Sequence, residues 1–161
     1  MIAAAVLALV LSAPQSAPRP TGDPVAEAGA VIDRMHEAAA RADGDAYFAL
    51  FTPDARFIGT DATERWTLDQ FRAYARPHFA RGQGWTYRPH DRVATVTSDP
   101  CRCLVWFDEL LDSDAYGLTR GSGVVRLTDD GWRIEQYVLS IPVPNDRARA
   151  VVGLIRGDDS R

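Results

Sequence analysis

Two hydrophobic periods divide the chain, a helical one in its first half and a strand-like one in its second. From Val25 to Ala42 the apolar residues Ala28, Val31, Ile32, Met35 and Ala39 recur at helical spacing with charges between them, which predicts an amphipathic helix. After Asp43-Gly44-Asp45 the run from Ala46 to Phe51 reads as a second, short helix. Thr52-Pro53-Asp54 ends it, because proline lacks an amide donor and clashes inside a helix. A strand is predicted over Ala55 to Thr60. Thr67 and Gln70 then form a capping box ahead of the stripe Leu68, Phe71, Tyr74, Ala75, His78 and Phe79. This predicts a third helix from Leu68 to about Ala80, kinked at Pro77.

Beyond it the reading is strand after strand: Trp85 to Thr97, Cys101 to Leu111, Tyr116 to Leu127 and Trp132 to Ile141. Ser98-Asp99-Pro100, Asp112-Ser113-Asp114 and Asp129-Asp130-Gly131 separate them as hairpin connections. Pro142, Pro144 and Asn145 lead into a short closing helix over Arg147 to Ile155. Helices followed by an antiparallel meander predict an α+β fold rather than a doubly wound one. With 161 residues and no internal repeat, the chain is read as one domain over residues 25–155 with a tail at 156–161.

The first 24 residues stand apart as a leader and linker. Ile2 to Leu11 is an unbroken apolar run of ten, half of what a membrane crossing needs, followed by a stretch rich in Pro and Ser. This is the form of a signal peptide core, although no basic residue precedes it and the small residues Ala13 and Ala17 are each followed by proline. The expectation is export, to the medium or the periplasm, with no stable membrane span; the alternative is a cytoplasmic protein with a disordered leader. Cys101 and Cys103 fall in a strand-like segment, where side chains two apart lie about 7 Å from each other. A disulfide there would be strained, so the two are read as small half-buried apolar residues.

Composition removes whole classes of function. Eighteen basic against 22 acidic residues give a net charge of -4, so no positive field exists to hold nucleic acid or anionic lipid. Every basic residue is Arg, which excludes a lysine Schiff base. His36, His78 and His90 are scattered, and Asp112-Ser113-Asp114 lacks the distal glutamate of a calcium loop, so no metal or other cofactor is expected. Gly121-Ser122-Gly123 sits inside a strand with no turn into a helix, and reads as sheet curvature rather than a nucleophile elbow.

One family shares this order of elements. The phrase DGDAYFALFTPDARFIGTD, with Glu64 and Trp66 just after it, then VWFDELLD, RGSG and GWRIEQYVLS, resembles the SnoaL-like branch of the nuclear transport factor 2-like superfamily over about Gly29 to Arg149. The resemblance implies a cone: a curved antiparallel sheet wrapped around three N-terminal helices, with a blind pocket between its concave face and the first helix. It implies no single function, since the superfamily includes isomerases, epoxide hydrolases, cyclases, dehydratases and pure binding or dimerising domains. Registered against the ketosteroid isomerases, the catalytic tyrosine and general-base aspartate fall on Met35 and Gly59, neither of which can do that chemistry. Asp61 could serve as base only if the strand were shifted.

Strand alternation sorts the remaining candidates by face. Trp132, Ile134, Gln136, Val138 and Ser140 share one face of the last strand, and the resemblance favours that face as the pocket side. Arg120, Ser122 and Val124 form the matching set on the preceding strand. An arginine inside a closed cone must find a carboxylate or an anionic ligand, because an unpaired buried charge costs several kcal/mol. Asp61, Glu64, Asp108 and Glu109 are the candidate partners, and only one of the adjacent pair Asp108 and Glu109 can face inward. Asp108 is chosen, because Trp106 on its face would supply an apolar wall and raise its pKa. Tyr47, Trp66, Tyr74, Trp85 and Trp106 offer flat amphipathic surface suited to a ring-shaped guest. The reading is therefore an exported, homodimeric binder of a small, largely apolar molecule oriented by Arg120, Gln136 and one carboxylate, with Ser122 and Ser140 also among the ligand-binding residues. The alternatives are an enzyme with Asp61 or Asp108 as general base, and a protein-interaction module with a solid core.

Overall fold

The computed structural model describes residues 19–157, so the apolar run and the small-residue sites of the expected signal peptide lie outside the described residues. The elements are α1 (Pro24–Ala40), α2 (Gly44–Phe48), β1 (Phe51–Ile58), β2 (Arg65–Thr67), α3 (Leu68–Phe79), β3 (Arg88–Val96), β4 (Leu104–Ser113), β5 (Gly117–Thr128), β6 (Gly131–Ser140) and α4 (Ala148–Arg156). Asp23 caps α1 by accepting the Val25 amide at 3.1 Å, and Pro24 opens the helix where no amide donor is required. The predicted stripe of α1 is its buried face: Ala28, Val31, Ile32, Met35 and Ala39 are all in the core. Both bonds of the capping box at α3 form, at 3.3 and 2.9 Å, and the helix runs through Pro77 to Phe79.

The strands form one curved, unclosed sheet in the order β2-β1-β6-β5-β4-β3. Helix α1 lies across β3, β4 and β6, while α3 packs on β1 and β2, so the core fills the concave side. One expectation is corrected here. The sheet is mixed rather than wholly antiparallel, because β1 pairs with β6 in parallel. A parallel neighbour needs a long crossover, and the chain through α3 and the three-strand meander provides it. The second helix is also shorter than expected, since Phe51, Thr52 and Pro53 already belong to β1.

Two bulges set which side chains enter the cone. In β6 the partners of Val124 and Val125 are Gln136 and Ile134, leaving Glu135 as an extra residue. Trp132 and Ile134 point inward before the bulge, Tyr137 and Leu139 after it. In β3 the register jumps from His90↔Leu110 to Val93↔Asp108, so Asp91 and Arg92 together face Glu109. Asp91 takes a left-handed conformation at φ 50°, which turns the Arg92 side chain under the sheet.

The two cysteines are also corrected. Cys101 and Cys103 form a disulfide with their Cα atoms 5.1 Å apart. The segment is a turn, not a strand: β4 begins only at Leu104, and Arg102 is left-handed at φ 51°. That conformation brings the two Cα atoms closer than extended backbone would.

Candidate functional site

A cavity of about 160 Å³ opens at the end of the cone where β1 and β2 meet α3. Phe57 of β1 and Phe71 of α3 form its floor, with ring centroids 3.8 Å apart and nearly parallel planes. Trp66 of β2 stacks on Tyr74 of α3 at 4.9 Å to make one wall. Trp85 and Tyr87, just before β3, make the opposite wall with Leu139 of β6, and Tyr116 reaches in from the β4–β5 turn. Burial among Tyr116 and Tyr74 pushes the Tyr87 phenol up to about 12, so it stays a neutral hydrogen-bonding group at physiological pH. The one ionisable non-phenolic lining group is Glu64. Its Oε2 accepts the Asp61 amide at 3.2 Å and occupies the space a side chain at Gly59 would need.

Behind the floor lies a buried polar cluster. Glu109 of β4 is 0% exposed. Its Oε1 accepts from His36 Nε2 at 2.7 Å and more weakly from the Tyr137 hydroxyl at 3.5 Å, while its Oε2 accepts from Arg92 Nε at 2.7 Å. Arg92 goes on to donate to Asp33 at 2.7 Å and to the Gly29 carbonyl at 3.3 Å, tying α1 to the sheet. Burial pushes the Glu109 carboxyl up, but the His36 hydrogen bond and charge together with the Arg92 guanidinium outweigh it and hold the group below the ordinary carboxylate range. Burial and the neighbouring Glu109 charge raise the Tyr137 phenol well above its usual value. Among the described residues no buried side-chain nitrogen or oxygen lacks a partner, so this cluster is saturated by its own members. It meets the cavity only through Tyr137, whose ring stacks on Phe57 at 5.6 Å.

The family profile of the SnoaL-like domain matches residues 29–144, well over half of the sequence. This chain belongs to that family. The solved structures agree in fold. A candidate dehydratase of the nuclear transport factor 2-like family from Streptomyces avermitilis is 15% identical, with 75% of this chain and 97% of that chain covered and a TM-score of 0.63. A cystatin-like fold protein from Burkholderia xenovorans LB400 is 26% identical, covering 77% and 96%, with a TM-score of 0.60. A candidate scytalone dehydratase from Novosphingobium aromaticivorans is 9% identical, covering 73% and 83%, also at 0.60. None of the curated proteins compared matches the chain.

Within this SnoaL-like cone the residues expected to form the site separate. Trp66 and Tyr74 line the cavity together. Tyr47 instead lies 1% exposed in the core, its ring against Phe48, Phe51, Phe71, Phe79 and Trp85. Asp61 is exposed on the β1–β2 turn, where Thr63 donates to it from backbone and side chain and holds its carboxyl low. Asp108 and Trp106 point to the outer face of the sheet, and Glu109 to the inside. Arg120, Ser122, Gln136 and Ser140 do share a face, but it is the outer one; Gln136 borders a separate cleft there with Arg56 and Arg65.

The inversion comes from the bulge at Glu135, which cancels the alternation counted from Trp132. The requirement that an inward arginine find a carboxylate is met by Arg92, whose inward turn depends on the bulge at Asp91. Tyr87 and Tyr116 fell inside the predicted strands Trp85 to Thr97 and Tyr116 to Leu127 but lie just before β3 and β5, where strand alternation does not set the direction of a side chain. Glu64 was a candidate partner for Arg120; its place two residues before Trp66 was the available signal.

Proposed function

We propose that this SnoaL-like domain is a small-molecule binder whose guest, about the size of one ring, sits in the aromatic cavity, and that the protein works as an exported homodimer. The observation that carries the reading is the cavity itself: a half-open space of about 160 Å³ lined mainly by aromatic rings, with a few phenols and one carboxylate at its edge. A cavity of roughly 150 Å³ lined by apolar residues accepts a benzene-sized guest, which sets the scale of the ligand. Binding is favoured over catalysis because the paired acid and base, Glu109 and His36, are saturated by each other, by Arg92 and by Tyr137 and have no direct opening onto the cavity, which leaves Glu64 as a lone carboxylate there with no basic side chain beside it. Export is supported by the Cys101–Cys103 disulfide, since such bonds persist in oxidising compartments. Dimerisation is supported by Val93 and Trp106, which stand 61% and 51% exposed on the outer face of the sheet.

A thermal-shift and tryptophan-fluorescence screen of neutral, anionic and cationic compounds of six to nine heavy atoms tests the reading. At least one class is expected to quench the fluorescence of Trp66 and Trp85 and to raise the melting temperature, by the equivalent of about 2.7 kcal/mol at a hundred times its Kd. Leu139→Phe, which fills the cavity from β6, is expected to abolish the effect while leaving the fold intact. A protein that no class stabilises or quenches would overturn the proposal.

A further inference from the structure

We infer that the guest of this cavity is a small organic cation, an ammonium bearing methyl or short alkyl groups, held by ring faces and balanced by Glu64. The inference rests on the binding reading above and adds the charge of the ligand. Its first support is the composition of the wall. Trp66, Tyr74, Trp85, Tyr87 and Tyr116 all line one small volume, and electron-rich rings around a cation attract it through their quadrupoles. A neutral apolar guest needs no such excess of indole and phenol over aliphatic side chains; Leu139 is the one aliphatic lining residue.

The second support is charge. Glu64 is half-buried at the cavity edge and, among the described residues, has no arginine or histidine within ion-pair distance. No arginine or histidine lines the cavity either; Arg65, next in the chain, borders the separate outer cleft. A half-buried carboxylate at the edge of an aromatic-lined cavity favours a cationic guest and repels an anionic one. The net charge of -4 acts in the same direction at longer range. The volume limits the cation to about six to nine heavy atoms, which admits a trimethylammonium head with a short substituent.

Choline and its uncharged carbon isostere 3,3-dimethylbutan-1-ol have nearly the same shape and differ in charge, and titration calorimetry of both against the full chain separates charge from fit. Choline is expected to bind at least ten-fold more tightly than the isostere. Glu64→Gln, which keeps an acceptor for the Asp61 amide, is expected to weaken choline several-fold and leave the isostere unchanged. Tyr116→Leu, in an exposed turn, is a second variant with the same expected asymmetry and no core to disturb. Equal affinity for the two compounds, or binding of the isostere or of phenol without choline, overturns the cation assignment while leaving the cavity a binding site. Failure of choline, the isostere and phenol alike, in a protein that melts cooperatively, overturns both.

Discussion

Glu109 is a carboxylate removed from water and kept ionised by the Arg92 guanidinium, His36 and the Tyr137 hydroxyl, whereas its neighbour Asp108 sits in solvent on the other side of the same strand. Removing one member of a buried ion pair leaves the other charge uncompensated, at a cost of about 3–5 kcal/mol. Arg92 keeps Asp33, so Glu109→Gln is expected to destabilise the fold by about 3 kcal/mol in urea unfolding, against less than about 0.5 kcal/mol for Asp108→Asn. The acid limb follows with a definite sign. The folded carboxyl titrates below its ordinary value of about 4.5, so its contribution is complete above that pH and is lost as the pH falls through the lowered value. Glu109→Gln should therefore flatten the decline of melting temperature below about pH 4.5. A steeper decline in the variant would contradict the assignment of charge.

At the scale of elements, turns and bulges carry the information that strands do not. The β3–β4 connection is clamped by the Cys101–Cys103 disulfide and by Asp99, which accepts the Arg102 amide at 2.6 Å. A crosslink enclosing so few residues removes little entropy from the unfolded chain, about 1.5 kcal/mol on the loop-closure relation. The double variant Cys101→Ser with Cys103→Ser is expected to unfold about that much more easily and to bind cavity ligands unchanged, as the turn lies outside the cavity lining. Thiol titration should find no free thiol in the native protein and two after reduction. Most elements were legible from periodicity: the buried face of α1, the capping box of α3 and the four strands of the meander fall close to where the pattern puts them. What the pattern could not give was the face of a strand beyond a bulge. One extra residue at Glu135 moves Gln136 outward and Tyr137 inward, and one at Asp91 brings in Arg92.

At the scale of the whole molecule the proposed dimer concerns the outer face of the sheet. Val93, Trp106, Val124 and Val138 lie on that face among Asp108, Ser122 and Gln136, an amphipathic surface that a second copy can bury symmetrically. Light scattering at micromolar concentration is expected to give twice the chain mass, and Trp106→Glu to give a monomer with unchanged ligand binding, because Trp106 lies across the sheet from the cavity. A wild-type monomer at that concentration would contradict the dimer proposal.

Local spacing is sufficient to choose helix or strand, so the sequence by itself determined the order of the helices and of every strand but the short β2, the α+β class, the family likeness and the absence of any lysine chemistry. It also placed Trp66, Tyr74 and Trp85 among the candidates for the wall. The tertiary structure alone decided which side of the sheet is inside, that Glu109 and Arg92 rather than Asp108 and Arg120 form the interior pair, and that a cavity remains among the rings. These depend on register against strands distant in the chain, where a single unpaired residue reverses the side-chain direction of those that follow.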